Sequence, residues 1–341
     1  MSSLTIALDI MGGDHGPPVI LSAAVRAVQQ HSNVNFIFCG HESVIFPALS
    51  KLTSAQRERV EVVHTEQVVE MGEAPTSALR HKKDSSMRKA IECVQQQRAN
   101  ACVSAGNTGA LLTLSFYLLK TLPGVDRPAL VSRMPTASHH KVFLLDLGAN
   151  VNCTPDILFQ YGVMGSVLAQ EVAGITQPRV ALLNVGEEDI KGNAQVKSAH
   201  SLFNDAPGVN YIGYVEGDDI FTDYADVVVT DGFTGNVALK SSEGLAKLVI
   251  NEVKQQSQRS FMTRLMAKIA LPLLKSIYNR VNPDQYNGAS LIGLRGIVIK
   301  SHGNASKDAF YYAIVQAIQE AKMQVPDKIK TKIETVLLEQ L

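Results

Sequence analysis

Several loop segments of this sequence combine glycines, hydroxyls and amides in a way that suits an anion. Ser104-Ala105-Gly106-Asn107-Thr108-Gly109-Ala110 offers two hydroxyls, an amide and several backbone N–H groups just ahead of an apolar run with helical spacing. Helix N-termini favour negative charge because their first N–H groups lack intrahelical partners and the helix dipole adds to them. Ser104, Asn107, Thr108 and Gly109 are therefore candidate phosphate-binding positions. Capping alone accounts for Ser104 or Thr108 but does not require both glycines as well. The segment is neither GxxxxGK[ST] nor GxGxxG, so nucleotide-binding readings lose their usual support. Asp9-Ile10-Met11-Gly12-Gly13-Asp14 is a weaker case. Gly12 and Gly13 would let the backbone approach an anion beside Asp9, yet a tight turn explains a glycine pair equally well.

Three further segments end apolar runs in the same manner. Asp146-Leu147-Gly148-Ala149-Asn150 contributes Asn150. The stretch from Asn184 to Asn193 holds Lys191, Gly192 and Asn193, where a lysine just ahead of a helix could set a compact positive charge against an oxyanion; an isolated loop lysine is otherwise simply solvated. Asp231-Gly232-Phe233-Thr234-Gly235-Asn236 delivers Asp231, Thr234, Gly235 and Asn236 to one turn, part of which helix capping would also explain. His302, in Lys300-Ser301-His302-Gly303, either lines a crevice or serves as a structural hydrogen bonder. The sequence has no GxSxG elbow, no HExxH and no Cys/His cluster at metal-ligand spacing, which leaves serine-hydrolase and zinc-enzyme readings without a motif. The remaining inventory can hold two polar reactants in register and stabilise developing negative charge without supplying a covalent nucleophile.

Stepping along the chain, short apolar runs alternate with glycine-, asparagine- or aspartate-rich loops and helically spaced stretches, the pattern of repeated strand-loop-helix units in an α/β fold. Strands are expected at 4–9, 34–39, 60–64, 101–104, 129–133, 142–146, 180–185, 211–215, 227–230 and 296–300. Helix starts are signalled by Pro17-Pro18, Thr154-Pro155 and Asn304-Ala305-Ser306. In such sheets ligands bind beyond the carboxyl ends of the strands, where these loops lie. At 341 residues with 45% hydrophobic content the chain can bury a core for two lobes, and 32 basic against 32 acidic residues give no global attraction to nucleic acid. The four cysteines show no CxxC pairing and read as reduced thiols. No stretch reads as a signal peptide or a membrane span. Without a linker, the two lobes are expected to be intertwined within a single unit covering 1–341.

Residues 254–283 form a local exception to the balanced charge. Lys254, Arg259, Arg264, Lys268, Lys275 and Arg280 are basic, and no acidic residue stands between Glu252 and Asp284. Phe261, Met262, Leu265, Met266, Ile269, Leu273, Leu274, Ile277 and Tyr278 recur at three- and four-residue steps, so the stretch is expected to be a basic amphipathic helical hairpin bent at Pro272. Such an element lies on an anionic membrane surface rather than crossing it; a dimer interface is the other reading of its apolar stripe. Phe261, Leu265, Ile269 and Leu273 are the expected membrane contacts.

Taken together, 9–14, 104–111, 146–150, 184–193, 231–236, and 288–291 with 301–303 resemble, in order and over nearly the whole chain, the motifs of the bacterial phosphate acyltransferase (PlsX) family. Ile10 and Asn287 are small departures from its pattern. The resemblance implies a three-layer α/β/α fold with a large mixed sheet and two intertwined lobes, like that of isocitrate and isopropylmalate dehydrogenases and phosphotransacetylases, in a homodimer. It implies a reaction in phospholipid synthesis in which acyl-[acyl carrier protein] and inorganic phosphate give acyl phosphate and free carrier protein, without metal or cofactor. By similarity Lys191 and Asn236 are the catalytic candidates, with Asp231 positioning them or accepting a proton. The family's carrier protein is acidic, and Arg80, Lys82, Lys83, Arg88 and Lys89 form the densest basic cluster in the first half, so they are the expected docking site. A cytoplasmic enzyme peripherally associated with the inner face of the cell membrane is implied, with a downstream glycerol-3-phosphate acyltransferase as a candidate partner. The alternatives are an oxidoreductase of the related dehydrogenase fold and a non-catalytic membrane-surface scaffold.

Overall fold

The computed structural model describes residues 4–138, 140–206, 208–281 and 287–339. Eleven strands among them form one sheet: β1 (Leu4–Asp9), β2 (Val34–Gly40), β3 (Val60–His64), β4 (Ala101–Ser104), β5 (Ala129–Pro135), β6 (Lys141–Leu145), β7 (Val180–Leu183), β8 (Tyr211–Val215), β9 (Val227–Val229), β10 (Ala289–Ile292) and β11 (Ile297–Lys300). Their order is β3-β2-β1-β4-β11-β10-β5-β6-β9-β7-β8. The chain therefore builds β1 to β4, crosses to build β5 to β9, and returns to insert β10 and β11 between the two sets.

Pairing is parallel from β3 to β11 and again from β6 to β8, but the three steps β11 to β10, β10 to β5 and β5 to β6 are all antiparallel. An odd number of reversals makes the two parallel blocks run in opposite directions. The loops after β1, β4 and β11 thus emerge at one edge of the sheet, and those after β6, β7 and β9 at the other. This corrects the expectation of a single row of carboxyl ends. The reversal depends on β10, a four-residue strand absent from the sequence-based set; the other ten agree within two residues.

Alternation along the strands divides the core. Ala7, Cys102, Val298, Leu291, Leu130, Leu144 and Val228 face one side. Ile6, Val103, Ile299 and, further along, Val131, Leu145 and Val229 face the other. On the second side lie α1 (Pro17–Gln30), α2 (Glu42–Leu49), a single turn α3 (Ser54–Arg57) near the edge, and later helices. On the first side α4 (Pro75–His81), α5 (Ser86–Gln95) and α6 (Thr108–Leu119) pack. α7 (Pro155–Ala173) and α8 (Ala194–Asn204) return to the second side, as do α12 (Lys307–Met323) and α13 (Val325–Glu339). The three expected helix starts hold, with Thr154 and Ser306 accepting from the third residue of α7 and α12 and Pro17 opening α1.

Between them run α9 (Gly232–Gln258), α10 (Phe261–Ile269) and α11 (Leu271–Val281). α10 packs on α9, and α11 follows α10. The amphipathic stretch is thus helical, but its break falls at Ala270 rather than at Pro272, because proline is tolerated in a first helical turn, where its missing N–H has no partner to lose. Pro283 and Asp284, with the side chains of Ile277, Tyr278 and Arg280, lie outside the described residues. No helix among those described is long and apolar enough to cross a membrane.

Candidate active site

At one edge of the sheet, Asp9, Ser104 and Lys300 stand side by side at the ends of β1, β4 and β11. Ser104 and Lys300 are register partners, and the Ser104 hydroxyl donates to Asp9 Oδ2 at 2.6 Å. Strand alternation points all three to the side that carries α9. Each is nearly or fully buried. Burial pushes the Asp9 carboxyl up, against the hydrogen bonds from Ser104, Ser86 and the Met11 and Gly12 backbone. The same cause brings the Lys300 ammonium down to about 8, helped by the nearby charge of Lys240 and opposed by Asp14 and Asp9. Lys300 Nζ donates to the Ser301 carbonyl and has no carboxylate at ion-pair distance among the described residues. The glycines let the loops meet: a Cβ on Gly12 would stand 2.9 Å from the Gly106 nitrogen, and Gly13, at φ +88°, sits against the Gly303 carbonyl.

Asn107 caps α6 by accepting from Ala110 N at 3.0 Å, while its Nδ2 donates to the carbonyls of Met71 (2.7 Å) and Glu73 (2.9 Å). The cap is Asn107 rather than Ser104 or Thr108, which leaves Thr108 exposed in the first turn of α6. Gly109 lies against Pro75, at the start of α4.

At the other edge the buried Asp146 carboxylate accepts from the N–H groups of Leu130 (2.9 Å), Ala149 (3.1 Å) and Asn150 (2.6 Å). Burial still dominates and raises its pKa. The Asn150 amide donates to Pro128 O and Tyr161 Oη, both at 2.7 Å, so it is bound into the scaffold. The first turn of α9 seats directly on this loop. Asp231 caps it, its two oxygens accepting from Thr234 N and Thr234 Oγ1 at 2.9 and 2.8 Å. Gly232 N donates to Asn150 O, and a Cβ on Gly235 would fall 2.0 Å from the Asp146 carbonyl oxygen. Asn236, next in line, is exposed.

The two groups are about 19 Å apart across four strand spacings, and α9 joins them. From Asn236 to Glu243 the helix rises about 10 Å. There Glu243 bonds His302 Nε2 at 3.1 Å and Lys240 Nζ at 3.3 Å. Burial would raise the Glu243 carboxyl, but the two cations outweigh it and hold it at about 2. Asn287 fixes the His302 loop, accepting from His302 N at 2.9 Å and donating to Ser301 Oγ at 2.7 Å. Under α9 lies a cavity of about 420 Å³. Its floor is Leu130, Ser132 and Met134 of β5 with Lys300 and Ala289; Thr108, Leu147, Phe221 and His302 close it. Along α9 its lining passes from Asn236, Lys240 and Glu243 to Leu245, Ala246 and Val249. An apolar tail can therefore lie under the second half of the helix while its polar head meets Asn236, Lys300 and His302.

Of the sequence-derived candidates, Thr108, Asn236 and His302 line the cavity, while Asp9, Gly12, Gly13, Ser104, Asn107 and Gly109 belong to the ends of β1 and β4 and the segments that follow them, outside its lining. Asn150, Asp231, Thr234 and Gly235 seat α9. Lys191, Gly192 and Asn193 follow β7, two strands beyond β6; Asn193 caps α8, and Lys191 is exposed and outside the lining. Lys240, on α9, is part of the cavity wall. Lys300 and Glu243 were not singled out by the sequence. Alternation along Ile297-Val298-Ile299-Lys300, which puts the lysine on the face of Val298, is the signal that could have found the first. In the basic cluster, Arg88 and Lys89 both pair with Glu92, at 2.7 and 3.1 Å, and Lys82 lies 3.9 Å from Glu73, whereas Arg80 and Lys83 are exposed. Of the stripe, Phe261 and Ile269 are 78% and 76% exposed, and Leu265 and Leu273 are exposed too. Far from the cavity, His41, His64 and Glu66 bring three ligand-type atoms within 4.8 Å of one another. His64 Nδ1 accepts from Glu42 N there, so its Nε2 carries the proton given to Glu66 and is not free to bind a metal.

The model of a family described as fatty acid synthesis protein matches residues 4–328. A phosphate acyltransferase of Pseudoalteromonas atlantica is 60% identical over 339 residues, 99% of each chain. Among solved structures the fold is similar to that of a phosphotransacetylase from Streptococcus pyogenes, with a TM-score of 0.64 at 16% identity over 94% of each chain. It is also similar to a 4-hydroxythreonine-4-phosphate dehydrogenase from Klebsiella pneumoniae, with a TM-score of 0.55 at 16% identity, over 94% of this chain and all of the other. At those identities the two structures speak to the fold alone.

Proposed function

This chain belongs to the family of fatty acid synthesis proteins whose curated members are phosphate acyltransferases, and we propose that it moves an acyl group from acyl-[acyl carrier protein] to inorganic phosphate in the cavity beneath α9. The observation that carries this reading is the lining of α9, polar at Asn236 and Lys240 and apolar at Leu245, Ala246 and Val249, which matches a reactive head group on a long tail. A phosphate oxygen attacks the thioester carbonyl, the C–S bond breaks, and the carrier leaves as thiolate. A thiol of ordinary pKa near 8.5 needs little acid assistance, and phosphate is already a nucleophile, so positioning and oxyanion stabilisation suffice.

In this scheme Asn236 donates to the carbonyl oxygen or orients phosphate, and Lys191 supplies charge from the neighbouring loop through its flexible stem. Asp231 acts by holding the turn that aims Asn236. We read the fold as two intertwined lobes in one unit, with the reactants between them. Purified protein given long-chain acyl-[acyl carrier protein] should release carrier thiol only when phosphate is present and without added metal. Release that ignores phosphate, or that a chelator stops, defeats the mechanism. A dehydrogenase reading would need oxidation of a hydroxy acid coupled to a nicotinamide cofactor, visible at 340 nm.

The arm of α10 and α11 supports a peripheral location at an anionic membrane, inside the cell. Phe261, Met262, Leu265, Met266, Ile269 and Leu273 are exposed beside Lys254, Arg259, Arg264, Lys268 and Lys275, also exposed, and an apolar face flanked by cations suits anionic lipid. A homodimer formed by the base of the arm accommodates the same exposure. Flotation with anionic liposomes separates them: Leu265→Glu with Ile269→Glu should abolish binding and leave the dimer and soluble turnover intact. A variant that becomes monomeric, or still floats, removes the membrane assignment.

A further inference from the structure

We propose that Lys300 is the residue that receives the attacking phosphate, holding it against the N-terminus of α6. The inference deepens the reading above and rests on it. A charged side chain that is nine-tenths buried is normally paired, because an unpaired charge loses its hydration without compensation. Lys300 is 7% exposed, lines the cavity and, among the described residues, has the Ser301 carbonyl as its hydrogen-bond partner and no carboxylate at ion-pair distance. The other basic side chains of the cavity are engaged, since Lys240 and His302 share Glu243. Asp9 does not neutralise Lys300 either: Ser104 stands between them and turns its hydroxyl to Asp9. A mobile anion would complete the site. One strand over, in register, Ser104 leads into the α6 N-terminus, where Asn107 caps from the side and Thr108 faces the cavity. Lys300 and Thr108, in the first turn of α6, thus line one cavity from two sides, where a phosphate can meet a buried cation and a helix N-terminus together.

The groups facing Lys300 set its behaviour. Lys240 and Glu243 of α9 and His302 of its own loop share the cavity wall with it. Burial foremost, and then the charge of Lys240, bring the ammonium down to about 8 against the pull of Asp14 and Asp9. An anion that requires the protonated lysine therefore binds fully below pH 8 and weakens as pH rises through that value. Phosphate is already a dianion by then, and sulfate does not titrate at all in this range, so the weakening belongs to the protein.

The test measures phosphate and sulfate binding by the thermal shift of the full-length protein, alongside phosphate-dependent thiol release. Lys300→Met should raise the apparent KM for phosphate roughly ten- to a hundredfold, the scale of a charge-assisted hydrogen bond, and should remove both the anion-induced thermal shift and its decline above pH 8. Lys300→Arg should keep part of the affinity and lose the decline. If Lys300→Met fails to fold, the wild-type protein decides: sulfate affinity that stays level from pH 7 to 9.5 overturns the assignment. So does a Lys300→Met variant with unchanged phosphate KM but lower turnover, which would put the lysine on the thioester instead. Wild-type thiol release independent of phosphate would be a failure of the proposed reaction, recognisable apart from either outcome.

Discussion

Replacing Gly235 with alanine tests whether α9 is seated on the Asp146 loop, since the added methyl has no room there. The Cβ would stand 2.0 Å from the Asp146 carbonyl oxygen and 2.9 Å from Thr230 Cγ2. The first neighbour is backbone, tied by Asp146 N to Thr230 and held by three donors to its carboxylate, so no side chain can swing aside. Overpacking of this kind costs about 1–3 kcal/mol. Alanine also favours a helix over glycine by about 1 kcal/mol, which would mask part of the cost. Gly244, on the same helix with nothing within 4 Å of its would-be Cβ, supplies the correction: Gly244→Ala should gain stability, and the gap between the two variants isolates the clash. With a urea dependence of about 3 kcal/mol per molar for a chain this long, their midpoints should differ by roughly a third of a molar to one molar. Asn236 follows Gly235 directly, and a displacement of about 1 Å at a reacting group can cost on the order of a hundredfold in rate. Gly235→Ala should therefore lose activity while still folded, and Gly244→Ala should not. Equal midpoints for the two variants would mean that α9 does not rest on Asp146, and the placement of Asn236 would fall with it.

Asn236→Ala and Lys191→Ala should each lower turnover on the order of a hundredfold, the scale for losing one oxyanion-type donor; near wild-type turnover for Lys191→Ala at saturating phosphate would make it a solvated loop lysine. In the basic cluster, Arg80→Glu with Lys83→Glu should raise the KM for carrier substrate and flatten its salt dependence, whereas Lys89→Glu, whose lysine already serves Glu92, should do less; an unchanged salt dependence in the first variant sends docking elsewhere. Glu243, with a carboxyl brought from 4.5 to about 2, stabilises the fold above its ordinary pKa and loses that contribution as pH falls toward 2. Allowing for solvent screening, wild-type protein should lose about 1 kcal/mol more than Glu243→Gln between pH 5 and 3.5, read by urea titration; parallel losses would mean that the His302 and Lys240 contacts do not hold α9.

Much of the fold is legible because burial on both faces leaves uninterrupted apolar runs, such as Leu4 to Asp9 and Val227 to Val229, bounded by small polar residues. The orientation of the two halves is not. It depends on whether the number of antiparallel steps is odd or even, and that parity rests on Ala289–Ile292, four residues between Asn287-Gly288 and Gly293 that are too few, and too mixed with Ser290, to stand out as a strand. The glycines show a similar limit. Gly12 and Gly235 read as places where an anion might approach, yet their nearest neighbours are protein atoms, of Asp9 and Gly106 in the first case and of Asp146 in the second. Only the pairing of distant segments distinguishes the two uses. Lys300 does not stand out in the sequence because a lysine ending an apolar strand reads as a boundary; its place under α9, which crosses from 60 residues upstream, is what buries it.

That crossing makes α9 more than a wall. Its 27 residues span about 40 Å, far more than the cavity requires. The first half carries Asn236, Lys240 and Glu243, and is fixed at both ends, by Asp231 and Gly235 on the Asp146 loop and by Glu243 on His302. The second half has no comparable anchor. Leu245 and Val249 line the cavity yet remain largely exposed, and Leu248 and Val253 continue the apolar surface toward α10. A long acyl chain lying under this half would leave the cavity along a surface that already leads to Phe261 and Leu265. On the proposed reading, the polar half of α9 is tied down where the reacting atoms would lie, and the apolar half is left open where a flexible tail would enter and depart. One helix can meet both demands because its two halves are anchored so unequally.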